Sequence, residues 1–158
     1  MERTSNRVGY GDRVNPRPHQ FVASGPLDEI EFLDATWQGI PVWGDTGTWV
    51  ATDVPGLAYA GPPWPGLLIA ARIPVGESVT VSVSDRPPPS MHQVFASELI
   101  VGDHGFFVAA GDGHMTVPVQ AGNYPVAVWV DGDTPDATRR CCIVLGARMP
   151  RQLGRPRS

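Results

Sequence analysis

Residues 78–84 read Ser-Val-Thr-Val-Ser-Val-Ser. Successive side chains of an extended chain point to opposite faces, so Val79, Val81 and Val83 share one face and the hydroxyl residues share the other. This pattern predicts a half-buried strand with one wet face. Related runs recur along the chain. In 67–73, Leu67, Ile69, Ala71 and Ile73 share a face opposite Arg72. In 124–130, Tyr124, Val126, Val128 and Val130 point inward and Trp129 outward. Ile30 and Phe32 alternate with Glu29, Glu31 and Leu33, which reads as a strand. Further strands are expected over 94–101, 105–110, 115–119 and 139–145. No run of helix length carries an apolar stripe.

Turn signals separate these runs at intervals of roughly 8–12 residues. The chain holds 18 Gly and 17 Pro, spread without a period among the apolar runs, as many turns between short strands require. The expected fold is therefore all-β: an antiparallel β-sandwich of about 8–10 short strands. Segment 55–66, rich in proline, reads as a loop or an edge. Residues 1–18 read as a flexible basic N-terminal arm, 19–147 as one β-sandwich domain and 148–158 as a basic C-terminal tail. At 158 residues and 42% hydrophobic composition, the chain can build a core without disulfides or metal.

All twelve basic residues are Arg. The absence of Lys excludes a Walker-type phosphate loop and Schiff-base chemistry. Charge is unevenly placed. Residues 1–17 carry +2, residues 139–158 carry +6 and residues 18–138 carry −12, for a net charge of −4. An acidic middle of this kind suits either a solvated surface or a surface for a basic partner. The two cysteines, Cys141 and Cys142, are adjacent. Neighbouring strand positions face opposite ways, so they are expected to be reduced, with at least one in the core. Neither a charged-then-apolar leader nor an apolar stretch of spanning length is visible, so a cytoplasmic location away from membrane is the expectation.

Candidate chemistry is sparse. Asp103 and His104 precede a predicted strand, and Asp112 and His114 follow it. About six extended residues span roughly 20 Å, so the two pairs fall at opposite ends of that strand. Gly102, Gly105, Gly111 and Gly113 flank them as hairpin turns require. No metal site, cofactor or catalytic residue is expected, and no Gly-x-Ser-x-Gly elbow occurs. Of the five tryptophans, Trp129 stands out, because its strand neighbours turn the other way; the C-terminal tail or another chain is expected to cover it. The arginine-rich tail lacks interleaved aromatics, so nucleic acid is not the expected partner.

From 79 to 146 the order of features is distinctive. A valine-rich strand leads into Asp-Arg-Pro-Pro-Pro-Ser, then comes a strand with Glu98, then a Gly105-led apolar run. Val117, Pro118, Gly122, Tyr124, Val126 and Val128 follow, and Arg-Arg-Cys-Cys-Ile-Val-Leu-Gly closes the series. This resembles small bacterial β-sandwich proteins similar to the competence-associated nuclease inhibitor family. In that pattern Gly122 and Asn123 supply a turn and Tyr124 starts a strand. The resemblance implies a non-enzymatic protein-binding module of the nuclease-inhibitor or toxin-immunity kind, with a basic nuclease or toxin as its protein partner. The expected contact residues are Asp28, Glu29, Glu31, Asp34, Trp129, Asp131, Asp133 and Asp136. The last three fall in a Gly/Pro-containing loop, where substitution is expected to spare the fold. The alternative is a coat or scaffold subunit that docks through its basic arms.

Overall fold

The computed structural model describes residues 19–34, 49–52 and 64–149. Ten strands occur among these residues: β1 (His19–Ser24), β2 (Leu27–Asp34), β3 (Val50–Ala51), β4 (Gly66–Ile73), β5 (Ser78–Ser84), β6 (His92–Val101), β7 (Phe106–Ala110), β8 (Gly113–Val117), β9 (Gly122–Val130) and β10 (Arg140–Leu145). A single 3₁₀ turn, Pro135–Ala137, lies between β9 and β10. The arm 1–18 lies outside the described residues, as does the tail beyond Met149. No described helix is long and apolar enough to cross a membrane.

The strands form two five-stranded sheets, ordered β1-β5-β10-β9-β6 and β3-β4-β2-β7-β8. The fold is all-β, and the sheets are mostly antiparallel. One pair departs from the expected pattern: β10 runs parallel to β5, with Cys141 beside Val81 and Ile143 beside Val83. The two inner faces share one core. Val79, Val81, Val83, Val126, Val128, Val130, Cys141 and Ile143 come from the first sheet. Ile30, Phe32, Leu67, Ile69, Phe106 and Val108 come from the second. Phe32 and Phe106 stack with ring centroids 4.5 Å apart, and Tyr124 meets Phe106 edge-on across the layers. Alternation in the sequence thus decides which residues enter the core.

The two sheets are linked along both sides of the sandwich. On one side, the Ser24 N–H donates to Asp112 Oδ1 at 3.1 Å, joining β1 of the first sheet to the β7–β8 turn of the second. On the other, Trp64 bridges to Leu99. Its N–H donates to the Glu98 carbonyl, its carbonyl accepts from the Ile100 N–H, and its indole Nε1 donates to Ser97 Oγ at 3.1 Å. Trp64 therefore caps part of the edge of β6, where open backbone groups would otherwise face solvent.

The connection from β5 to β6 takes an unusual route. Ser84 lies level with Val144, Ala127 and Ala96 across the sheet. β6 begins earlier than Ala96, at His92, beyond the two intervening strands. The chain must move three strand spacings sideways, about 14 Å, and roughly 13 Å back along the strands, a diagonal of about 19 Å. Residues 85–91 reach about 25 Å when extended. That length allows a direct path but no detour around the sheet edge, and the core fills the inner face. The Asp-Arg-Pro-Pro-Pro-Ser-Met segment consequently crosses the outer face of the first sheet over β10 and β9. Ser84 Oγ fixes its start, donating to the Arg86 carbonyl at 2.7 Å and accepting from the Arg86 N–H at 3.1 Å. Cys142 faces this outer side yet is only 1% exposed, as such a cover requires.

Candidate functional site

Four turns meet at one end of the sandwich. The Gly25 N–H donates to the Glu77 carbonyl at 2.9 Å, joining the β1–β2 turn to the β4–β5 turn. The peptide bond Gly25–Pro26 is cis. A side chain at Gly25 would run into the backbone of Ile73 and Pro74, so only glycine permits this approach. Asp112 brings in the β7–β8 turn through Ser24. The long β9–β10 loop, 131–139, completes the group.

Arg139 is the hub. Its Nε donates to Glu77 Oε1 at 2.7 Å, and its Nη1 donates to the carbonyls of Thr138, Asp136 and Arg72 at 2.7, 2.9 and 3.4 Å. One planar guanidinium thereby holds the β9–β10 loop against the β4–β5 turn. Asp131 closes the loop from the inside: its Oδ1 accepts from the Arg139 and Arg140 N–H groups, each at 2.9 Å. Thr138 is fully buried, and its hydroxyl donates to the Thr134 carbonyl at 3.0 Å. Arg72 Nη1 lies 3.4 Å from Asp136 Oδ1 in an exposed pair.

Asp131, Asp133 and Asp136 therefore sit at this end. Asp28 and Glu29 join them, because Asp28 occupies the irregularity where β2 leaves register with β4 near Ile73. Glu77 and Asp112, which the sequence reading did not single out as contact residues, belong to the same end. Seven carboxylates and three guanidinium groups, those of Arg72, Arg139 and Arg140, thus share this end, and two of the carboxylates are paired, Glu77 with Arg139 and Asp136 with Arg72. Glu31 lies further along β2, opposite Leu68 and Ala109. Asp34 ends that strand opposite Phe106, at the far end of the molecule. Trp129 stands apart too, half-buried on the outer face of the first sheet between Cys142 and Gln93. The strand that carries it runs beneath the 85–91 crossover.

Two expectations need correction. Substitution throughout the 131–136 loop was expected to spare the fold. Asp131 instead supplies the acceptor for two loop N–H groups, and Asp136 contributes both its carboxylate and its carbonyl to the arginine network. Only Asp133 of the three makes no bond among the described residues. Gly122 and Asn123 were expected to form a turn. They belong to β9, because Gly122 pairs with Val101, and Asn123 pairs with Ile100 on one side and Met149 on the other. The turn is displaced upstream, and the Tyr124 hydroxyl reaches back to donate to the Gln120 carbonyl. Burial raises the Tyr124 pKa, and Arg148 nearby opposes that shift.

Asp103 and His104 lie at the opposite end from Asp112 and His114, separated by β7. Gly105 and Gly111 adopt φ of 79° and 53° in the flanking turns. Asp112 spends its carboxylate on Ser24, and the His114 ring lies 5.8 Å from that of Phe107. Among the described residues no three His, Cys, Asp or Glu side chains converge as a metal would need. Both cysteines are free and buried. Burial is the main cause of the raised pKa of the Cys141 thiol, with Cys142 and Asp131 adding to it. Burial also raises that of Cys142, against the opposing hydrogen bonds of Ser82 and Ser84 and the charge of Arg140. A thiol held in its protonated form is a poor nucleophile.

No family model matches the chain, and no curated protein matches it in sequence. Its fold is similar to that of a solved structure, ComJ from Bacillus subtilis, an inhibitor of the DNA degrading activity of NucA. The TM-score is 0.53 at 11% sequence identity, over 83% of this chain and 95% of that one.

Proposed function

We propose that this chain is a non-enzymatic inhibitor of the nuclease-inhibitor or immunity kind, which binds a basic protein through the carboxylate-rich loop end. The observation that carries this reading is the gathering of Asp28, Glu29, Glu77, Asp112, Asp131, Asp133 and Asp136 around four interlocked turns, on a fold shared with a nuclease inhibitor. A nuclease that binds polyanionic DNA needs a basic cleft, and an acidic protein surface is steered toward such a cleft and can occupy it. The bonded loop supports the role, because it fixes Glu77, Asp131 and Asp136 and the turns that carry the other carboxylates before the partner arrives, which lowers the ordering cost of binding.

The test is protection of DNA from nuclease activity in extracts of the native cell. The purified chain should suppress that activity, and the suppression should weaken as salt rises, because the Debye length falls from about 10 Å at 0.1 M to about 3 Å at 1 M. Asp133→Arg and Asp28→Arg should weaken it while the protein stays folded. Undiminished DNA degradation at a large excess of the chain would overturn the nuclease reading. The coat or scaffold alternative rests on the basic arms, of which residues 1–18 and 150–158 lie outside the described residues; a large symmetric assembly in solution would restore it.

A further inference from the structure

Among the described residues, three large apolar side chains are exposed: Val22 at 59%, Ile100 at 39% and Val75 at 77%. Val22 and Ile100 stand singly on strands, as scattered surface residues commonly do. Val75 does not. It tips the β4–β5 turn, and exposed apolar residues lie on the two turns bonded to that turn. Pro74 precedes it and packs its backbone against Gly25, which places Pro26 alongside. Ala137 lies on the loop that Arg139 clamps to the carbonyl of Arg72. Pro26, Pro74 and Ala137 are all exposed.

We infer that Pro26, Pro74, Val75 and Ala137 form the apolar centre of a protein-docking surface, whose partner carries a shallow apolar depression ringed by Arg or Lys. The choice of occupant follows from charge. Asp28, Asp133 and Glu77 stand around this centre, and an apolar centre inside a charged rim is the anatomy of a protein interface. With seven carboxylates against three guanidinium groups at this end, a nucleic acid would be repelled, and a second copy would set one net-acidic surface against another. The centre is also preorganised. The Glu77 N–H closes the turn onto the Pro74 carbonyl at 3.2 Å, Gly25 grips the Glu77 carbonyl, and the Ala137 N–H donates to the Thr134 carbonyl at 3.1 Å. Its base is fixed while its tip is bare, which is how a hot-spot residue is presented. This inference rests on the protein-binding part of the proposed function and not on the partner's being a nuclease.

The test places a photo-crosslinking amino acid at position 75 of the full chain in the native cell, with the same substitution at position 22 as control. The captured protein is identified and purified, and its affinity is measured for the parent chain, Val75→Ser and Val22→Ser. The expected result is an adduct at 75 and not at 22, with a protein whose contact face is basic. Val75→Ser should weaken the affinity at least tenfold and Val22→Ser less than twofold, both with unchanged thermal midpoints. No adduct at 75, equal adducts at both positions, an acidic captured protein, or an affinity indifferent to Val75→Ser would each overturn the docking surface. If the captured protein does not degrade DNA, the nuclease reading fails and the docking surface stands. If the chain suppresses a nuclease while Val75→Ser suppresses it equally well, the docking surface fails and the nuclease reading stands.

Discussion

Arg139 Nε and Glu77 Oε1 lie 2.7 Å apart although 62 positions separate them in the chain. The pair joins the β9–β10 loop of the first sheet to the turn that passes from the second sheet to the first. The guanidinium is about one-third exposed and the carboxylate about half, so solvent weakens the ion pair itself. The three backbone carbonyls bound by the same guanidinium matter more. Arg139→Ala should destabilise the fold by about 1–3 kcal/mol, read as a lower urea midpoint. Arg139→Lys should recover less than half of that loss, because an ammonium cannot reach the carboxylate and the carbonyls as a planar fork does. Full recovery by Lys would reduce the network to simple charge.

Asp131 and Asp133 are two residues apart, yet only Asp131 should matter to stability. Asp131→Ala leaves the Arg139 and Arg140 N–H groups without their acceptor, at a cost of about 1–2 kcal/mol. Asp133→Ala should change stability by less than about 0.5 kcal/mol. Chemical denaturation of the two variants side by side checks this. Equal effects would mean that the Asp131 carboxylate does not organise the loop.

Inner and outer strand positions give the sharpest contrast. Val126 and Val128 are buried in the core, 3% and 0% exposed. Val126→Asp and Val128→Asp should each prevent folding or cost several kcal/mol, since a buried unpaired charge has no compensation. Thr80 faces outward, half-buried, beside Val22 and Arg140. Thr80→Asp should be tolerated, and circular dichroism and soluble yield report all three.

The buried thiols predict a pH dependence. Their pKa values are raised in the folded state, so the unfolded chain loses these protons first as pH rises. Stability from this source is intact below the unfolded thiol value of about 8.5 and declines above it until the folded value is reached. The slope is at most about 1.4 kcal/mol per pH unit for each thiol. Cys141→Ala should flatten the decline between pH 8.5 and 10 even though it lowers stability at neutral pH. An unchanged slope would show that Cys141 is not held protonated by its surroundings.

Strand alternation made much of the architecture legible. The valines of 78–84 and of 124–130 enter the core as their spacing requires, and Cys141 and Cys142 divide between the two faces. The parallel pairing of β5 with β10 was not legible, because alternation marks which face a residue takes and carries no information about strand direction. The loop end was half legible. A run of Asp residues is visible in sequence, but the partners that occupy Asp131 and Asp112 are backbone N–H groups, and any residue type supplies those. Val75 gave no signal at all, since a lone valine between Pro74 and Gly76 differs from a core valine only in where the turn carries it.

The crossover of residues 85–91 bears on the order in which the chain assembles. It leaves a gap two strands wide between β5 and β6, and the strands that fill it, β9 and β10, come later in the sequence. During synthesis β5 and β6 emerge with no neighbour between them, spaced by a short proline-stiffened tether. The first sheet closes only when the later hairpin slides into place. Until residue 145 has left the ribosome, the facing edges of β5 and β6 stay unpaired and open to chaperones and to aggregation. A truncation anywhere before β10 would strand the nascent chain in that state.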